Sequence, residues 1–267
     1  MHSRRNFLKA GLLIAGAIPS AAAYQALAGD QRFRDDKQGI DDDLRAVKSR
    51  LEGGDPSVWL FTGDSITQGA KHTHGWRSYP EVFAERVRWE LGRVRDVVIN
   101  TAVSGNTTAD LLADWKWRVD HFKPQIVSVM MGTNDCATSK KVNRADFERN
   151  LSAIVNRVRD MGAIPVLHVP TPIIAAKATE RSNLPAYAQT VAQVAERNGV
   201  IGVDHWAYWQ DAIRQKGDSQ VFAEWLNDPL HPNGMGHLEM ARLLFKRLQI
   251  FDESAATCGA PYYEGEH

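Results

Sequence analysis

Five short runs of nearly unbroken apolar residues mark the chain, at Val58–Thr62, Val97–Thr101, Ile126–Met131, Ile164–Val169 and Val200–Val203. Runs of that length without polar alternation predict strands covered on both faces, as in a parallel sheet. Between and after them, helical patterns run over Tyr79–Leu91, Thr108–Trp115, Arg144–Met161, Pro185–Asn198 and Met235–Leu248. Gly162 and Gly199 directly follow two of these segments, where a glycine readily ends a helix. The alternation predicts an α/β fold, a parallel sheet sandwiched between helices. No repeat, low-complexity tract or linker divides it, and 267 residues suffice for one large domain with a substantial core.

The ends of the chain read differently. Ser3-Arg4-Arg5-Asn6-Phe7-Leu8-Lys9 has the form of a twin-arginine export motif. The apolar stretch Ala10–Ile18 behind it is too short to span a bilayer, and Ala26-Leu27-Ala28 offers the small residues that a signal peptidase reads. Residues 1–28 are therefore expected to be a twin-arginine-type signal peptide. Next come a charged leader and helix over 29–56, with the helix at Asp41–Leu51 ended by Gly53-Gly54 and Pro56. The acids Asp35, Asp36, Asp41, Asp42 and Asp43 lack the spacing of a calcium loop and read as a solvated face. The domain that carries the five strands is assigned to 57–250, leaving 251–267 as a C-terminal tail.

Composition narrows the partners. Thirty-two basic residues balance thirty-two acidic ones, so the chain has no electrostatic footprint for nucleic acid. Export would deliver a protein with no stable membrane insertion after cleavage, periplasmic or secreted, with the twin-arginine machinery as its transport partner. In an oxidising compartment Cys136 and Cys258 could form a disulfide, or they could remain two free thiols.

Candidate chemistry gathers at strand ends. Gly63-Asp64-Ser65 closes the first apolar run, so a strand delivers a serine into a tight turn. A serine hydroxyl needs a neighbouring base to become nucleophilic. His231, with Asp228 three residues before it in a proline-flanked loop, can supply that base and a carboxylate to orient it. Gly105, after the second strand, and Asn134, after the third, can donate hydrogen bonds to a developing oxyanion. All these positions fall at the carboxyl edge of the expected sheet, where ligands bind in open α/β folds. Thr67 occupies the place of the last glycine in a Gly-x-Ser-x-Gly elbow, which argues against an α/β-hydrolase. Asp64 and Asp135 read as loop braces, His72 and His74 as polar loop residues, and His237 as a surface helix residue. No metal site is expected. Trp76, soon after the serine, is the candidate for stacking on a sugar ring.

Gly63-Asp64-Ser65-Ile66, Ser104-Gly105-Asn106, Gly132-Thr133-Asn134-Asp135 and Asp228-Pro229-Leu230-His231 together resemble the SGNH (GDSL-type) hydrolase family. The likeness runs from about Val58 to about Leu248, and isoleucine stands where the eponymous motif has leucine. It implies a three-layer αβα sandwich on a five-stranded parallel sheet, of SGNH hydrolase or flavodoxin-like type. It also implies catalytic Ser65, Asp228 and His231, and an oxyanion hole of Ser65 N–H, Gly105 N–H and the Asn134 amide, with no metal or organic cofactor. The expected activity is serine ester hydrolysis through an acyl-enzyme. The preferred substrate is a short-chain, acetyl-type ester of an extracytoplasmic carbohydrate. A lipolytic or simple-ester hydrolase and a non-catalytic glycan-binding protein are the alternatives.

Overall fold

The computed structural model describes residues 21–69 and 71–261. The segment 1–20, which holds the twin-arginine motif and the apolar stretch, lies outside the described residues. The chain divides into two units, Met1–Asp35 and Asp36–His267. The first contributes the opening turns of α1 (Ala21–Glu52); the second holds the sheet and every candidate residue. Residues 29–40, expected as an exposed leader, are helical. No proline interrupts Ala21–Glu52, and alanine, leucine, glutamine, lysine and arginine, all good helix formers, recur through it. Asp43 also departs from the solvated-face reading: it is buried and accepts two hydrogen bonds from Arg159, at 2.6 and 2.5 Å.

The second unit alternates strand and helix as expected. In chain order it runs β1 (Val58–Gly63), α2 (Ser65–Gln68), α3 (Tyr79–Glu85), β2 (Val97–Asn100), α4 (Thr108–Ala113), α5 (Trp115–Arg118), β3 (Ile126–Met130), α6 (Arg144–Asp160), β4 (Ile164–Val169), α7 (Leu184–Arg197), β5 (Ile201–Asp204), α8 (His205–Lys216), α9 (Asp218–Trp225) and α10 (Gly234–Arg247). All five strands pair in parallel, in the order β2-β1-β3-β4-β5. From β1 the chain turns one way to β2 and the other way to β3, so a crevice opens between the carboxyl ends of β1 and β3.

Three helices depart from the sequence pattern for visible reasons. After Glu85, α3 continues as a π-helical turn, Arg86–Glu90. Arg86 is buried there, donating to Ile250 O at 2.9 and 2.7 Å and pairing with Glu90. The segment Thr108–Trp115 breaks at Asp114 into α4 and α5. Beyond β5 the chain forms two helices outside that pattern, α8 and α9, divided at Gly217.

Each sheet face carries its own core. One face packs Leu60, Val127, Val129 and Leu167 against α4, α6 and α7; the other packs Trp59, Phe61, Ile126 and Val166 against α1, α3 and α10. This arrangement overturns the disulfide alternative. Cys136 is buried in the first cluster and Cys258 in the second, and both are free thiols. Among the described residues, no helix is long and apolar enough to cross a membrane.

Candidate active site

The first strand delivers its serine through a backbone with no room to spare. Parallel pairing sets Gly63 beside Met130. A Cβ on Gly63 would come within 2.5 Å of both Met130 O and Thr67 Oγ1, so only glycine fits the last position of β1. Asp64 caps the following turn, its Oδ1 accepting from Ile66 N at 3.0 Å. Full burial pushes the Asp64 carboxyl up to about 7, against the opposing pull of that N–H group. Ser65 opens the turn half-buried, where a backbone N–H has no partner inside the helix.

The base arrives on a closed loop. Asn227 N donates to His231 O at 2.8 Å, and Leu226 bridges Pro232. Asn233 caps α10 by accepting from Gly236 N at 3.0 Å. Within this loop, Asp228 Oδ1 accepts from the N–H groups of Leu230 and His231 at 2.8 and 2.9 Å. His231 Nδ1 lies 2.8 Å from Asp228 Oδ2, and His231 Nε2 lies 2.9 Å from Ser65 Oγ. Partial burial pushes the Asp228 carboxyl up, but its two N–H donors and the imidazole together hold it below its ordinary value. Hydroxyl, imidazole and carboxylate thus stand in hydrogen-bonded series. In that geometry the imidazole can take the hydroxyl proton while the carboxylate holds it in the right tautomer.

The other two expected residues stand on the loops that follow β2 and β3. Gly105 turns with φ +77°, a left-handed conformation suited to glycine. Asn134 Nδ2 donates to Asn106 O at 3.1 Å and reaches Asp64 Oδ2 only at a long 3.4 Å, which leaves its second hydrogen weakly held. Asp135 ties these loops together: its Oδ1 accepts from Thr108 N and Thr108 Oγ1 at 2.8 and 2.6 Å. Asp64 and Asp135 are therefore the loop braces that the sequence suggested.

Four residues carry roles that the sequence pattern did not reveal. Arg118, fully buried, donates to Thr62 Oγ1, Gly63 O, Thr101 O and Asn106 Oδ1, and so joins the end of β1 to the loop that bears Gly105. Arg181 donates to Thr133 O at 3.0 Å and Asn134 Oδ1 at 3.2 Å, fixing which way the amide points. His72 is half-buried, its ring stacked on His231 at 3.5 Å between centroids and its Nδ1 3.3 Å from Asp228 Oδ2. His237 is fully buried rather than on the surface, accepting from Tyr79 N at 3.2 Å. Burial, reinforced by His231 and His72, lowers its pKa to about 3. The arginines and His237 are charged or polar side chains that read as solvated; contacts made far along the chain bury Arg118 and His237 and half-bury Arg181.

His72, Asp228 and His231 form the one trio among the described residues with ligand atoms within 4.8 Å of one another. The two imidazoles lie parallel, 6° apart, so their in-plane lone pairs run side by side instead of converging as tetrahedral coordination requires. Trp76 is 64% exposed and packs its Cβ against Gly234, three residues beyond His231. Trp59, Trp115, Trp209 and Trp225 are core residues.

Comparison with known proteins gives a consistent picture. The sequence profile of the GDSL-like Lipase/Acylhydrolase family matches residues 61–238. An acetylxylan esterase of Geobacillus stearothermophilus is 28% identical over 206 residues, covering 71% of this chain and 92% of that protein. The crystal structure of an acetylxylan esterase from the same organism, Axe2, superposes with a TM-score of 0.60 at 24% identity, covering 73% of this chain and 95% of the other. LAE5, described as an alpha/beta hydrolase enzyme from the metagenome of Lake Arreo, superposes with a TM-score of 0.63 at 24% identity over 75% of this chain and 98% of its own.

Proposed function

The chain belongs to the GDSL-like lipase/acylhydrolase family of SGNH hydrolases and is a carboxylic ester hydrolase; from that premise we propose that Ser65, His231 and Asp228 remove short acyl groups, acetyl foremost, from an extracytoplasmic carbohydrate. The observation that carries the assignment is the series Ser65 Oγ, His231 Nε2, His231 Nδ1 and Asp228 Oδ2, with steps of 2.9 and 2.8 Å between side chains.

Ser65 Oγ attacks the ester carbonyl as its proton passes to His231 Nε2. Negative charge on the carbonyl oxygen is received by the N–H groups of Ser65 and Gly105 and by the Asn134 amide, whose long contact to Asp64 yields to the stronger acceptor. His231 returns the proton to the departing alcohol oxygen. Water then attacks the acyl-enzyme, with His231 again as base and Ser65 as leaving group. Asp228, ionised and doubly hydrogen-bonded by its own loop, stabilises the imidazolium in both halves.

Support for a carbohydrate ester comes from the surroundings of His231. A cleft of about 410 Å³ lies along it, where the charged Lys177, Glu180 and Arg181 and the hydroxyl-bearing Thr179 stand beside the apolar Ala178, Pro229 and Leu230. Charged and hydroxyl groups suit a hydrated sugar better than a long acyl chain, and the exposed ring of Trp76 offers a stacking face. The acetylxylan esterase relative favours the same class, and the twin-arginine motif at Ser3–Lys9 favours a substrate outside the cytoplasm. Hydrolysis of p-nitrophenyl esters from acetate to palmitate tests the acyl preference. Activity falling steeply beyond propionate is expected, and a maximum at long chains would move the reading to a lipolytic enzyme.

A further inference from the structure

The segment that follows the nucleophile turn grips the loop that carries the base. Its side chains at alternate positions reach that loop at three points: His74 Nε2 bonds Asn227 Oδ1, His72 meets Asp228 and His231, and Trp76 covers Gly234. Thr73 is buried among them, and its carbonyl accepts from Trp76 N at 3.0 Å. Lys71 and His74 hold φ values of 69° and 53°, conformations that side-chain-bearing residues adopt only when their surroundings impose them. The contacts of His72 are the most specific of the set. Among the described residues it is His231, and not His72, that is hydrogen-bonded to Ser65 Oγ, so His72 has no place as a second base.

We propose that His72 is a positioning residue for the Asp228–His231 pair: a neutral imidazole whose Nδ1 faces Asp228 Oδ2 at 3.3 Å and whose ring lies flat on His231, holding the base toward Ser65. Two contacts fix two degrees of freedom. The polar contact restrains Asp228 Oδ2, and the stack prevents the His231 ring from rotating out of line with the hydroxyl. A neutral ring face also accommodates the imidazolium that His231 becomes during acyl transfer. A charged His72 would oppose it. Around the pair stand Asp228 on the base loop, Lys71 beside His72, His237 on α10, and Lys177, Glu180 and Arg181 across the cleft. Burial first, then the neighbouring His231, lowers the His72 pKa and favours the neutral form against the pull of Asp228.

This inference rests on the Ser65–His231–Asp228 reading, and its test separates the two. His72→Phe keeps the stacked ring and loses the donor; His72→Asn keeps a donor at the Nδ1 position and loses the stack. With p-nitrophenyl acetate, His72→Phe should lose roughly tenfold in kcat with little change in KM, the low end of what a hydrogen bond to a charged group is worth. The carboxylate freed of one donor stabilises the imidazolium more, so the acid limb of its kcat/KM profile should move to higher pH. In His72→Asn that limb should stay in place. In an Asp228→Ala background, His72→Phe should cost little more, because its effect runs through the carboxylate. Wild-type kcat and pH profile in a folded His72→Phe protein, beside inactive Ser65→Ala and His231→Ala, would overturn the proposal alone. Activity in those last two variants would overturn the reading beneath it.

Discussion

Replacing Arg118 by methionine removes a side chain that joins the end of β1 to the loop bearing Gly105. The guanidinium donates to Thr101 O at 2.9 Å, Asn106 Oδ1 at 2.7 Å, Thr62 Oγ1 at 3.0 Å and Gly63 O at 2.9 Å. A hydrogen bond from a charged donor contributes about 1.5–3 kcal/mol, but the four do not simply add. Thr101 and Asn106 are half-buried and can be rehydrated, and Gly63 O keeps the N–H of Val103 at 3.1 Å. Thr62 Oγ1, fully buried, is left without its donor. Methionine also relieves the cost of burying a cation, so the net loss should be about 2–4 kcal/mol. At the centre of that range, Tm falls by roughly 6–12 °C for a chain of this size. Gly105 sits between the anchors Thr101 and Asn106, so its N–H should drift and kcat fall roughly 10- to 100-fold, with KM little changed. Urea unfolding and steady-state hydrolysis of p-nitrophenyl acetate measure both. Arg118→Lys keeps the charge without the planar fork and should fall between wild type and methionine. Stability within about 0.5 kcal/mol of wild type, together with wild-type kcat, would refute the reasoning.

Asn134→Ala should lower kcat by about 100- to 1000-fold, the usual cost of one oxyanion donor, and stopped-flow hydrolysis of p-nitrophenyl acetate would measure it. His168 is buried against Ser128 and His205, and desolvation lowers its pKa to about 3. The unfolded chain therefore binds this proton first as pH falls, and stability is lost from about pH 6.5 down toward 3. His168→Gln should flatten the stability–pH curve in that window by up to about 1.4 kcal/mol per unit, as read from urea titrations at several pH values. Burial pushes the Cys136 thiol up to about 12, so native protein at pH 8 should resist iodoacetamide at Cys136. Denatured protein should label at both cysteines, and tryptic mapping would report any protected disulfide.

The strands were legible because each is a short apolar run covered on both faces, and β4 begins and ends where the pattern predicts. The serine, the histidine and both candidate oxyanion donors were legible because each follows a strand or a loop with unusual turn chemistry. The braces were not. Arg118 stands between Trp117 and Val119 and Arg181 between Glu180 and Ser182, and nothing local distinguishes an arginine that folding will bury from one left in water. His72 reads as loop because its partners Asp228 and His231 lie far along the chain, joined to it only by tertiary folding. The cysteines left two readings open for a related reason: spacing along the sequence says nothing about which face of the sheet each side chain enters.

The nucleophile is the central claim, and trapping the acyl-enzyme tests it most directly. Protein mixed with p-nitrophenyl acetate, quenched in acid within the first turnover and mapped by peptide mass spectrometry, should carry one acetyl group on Ser65. His231→Ala should accumulate almost none, because the hydroxyl then has no base. An acetyl group on any other residue, or steady hydrolysis with Ser65 never modified, would contradict the mechanism.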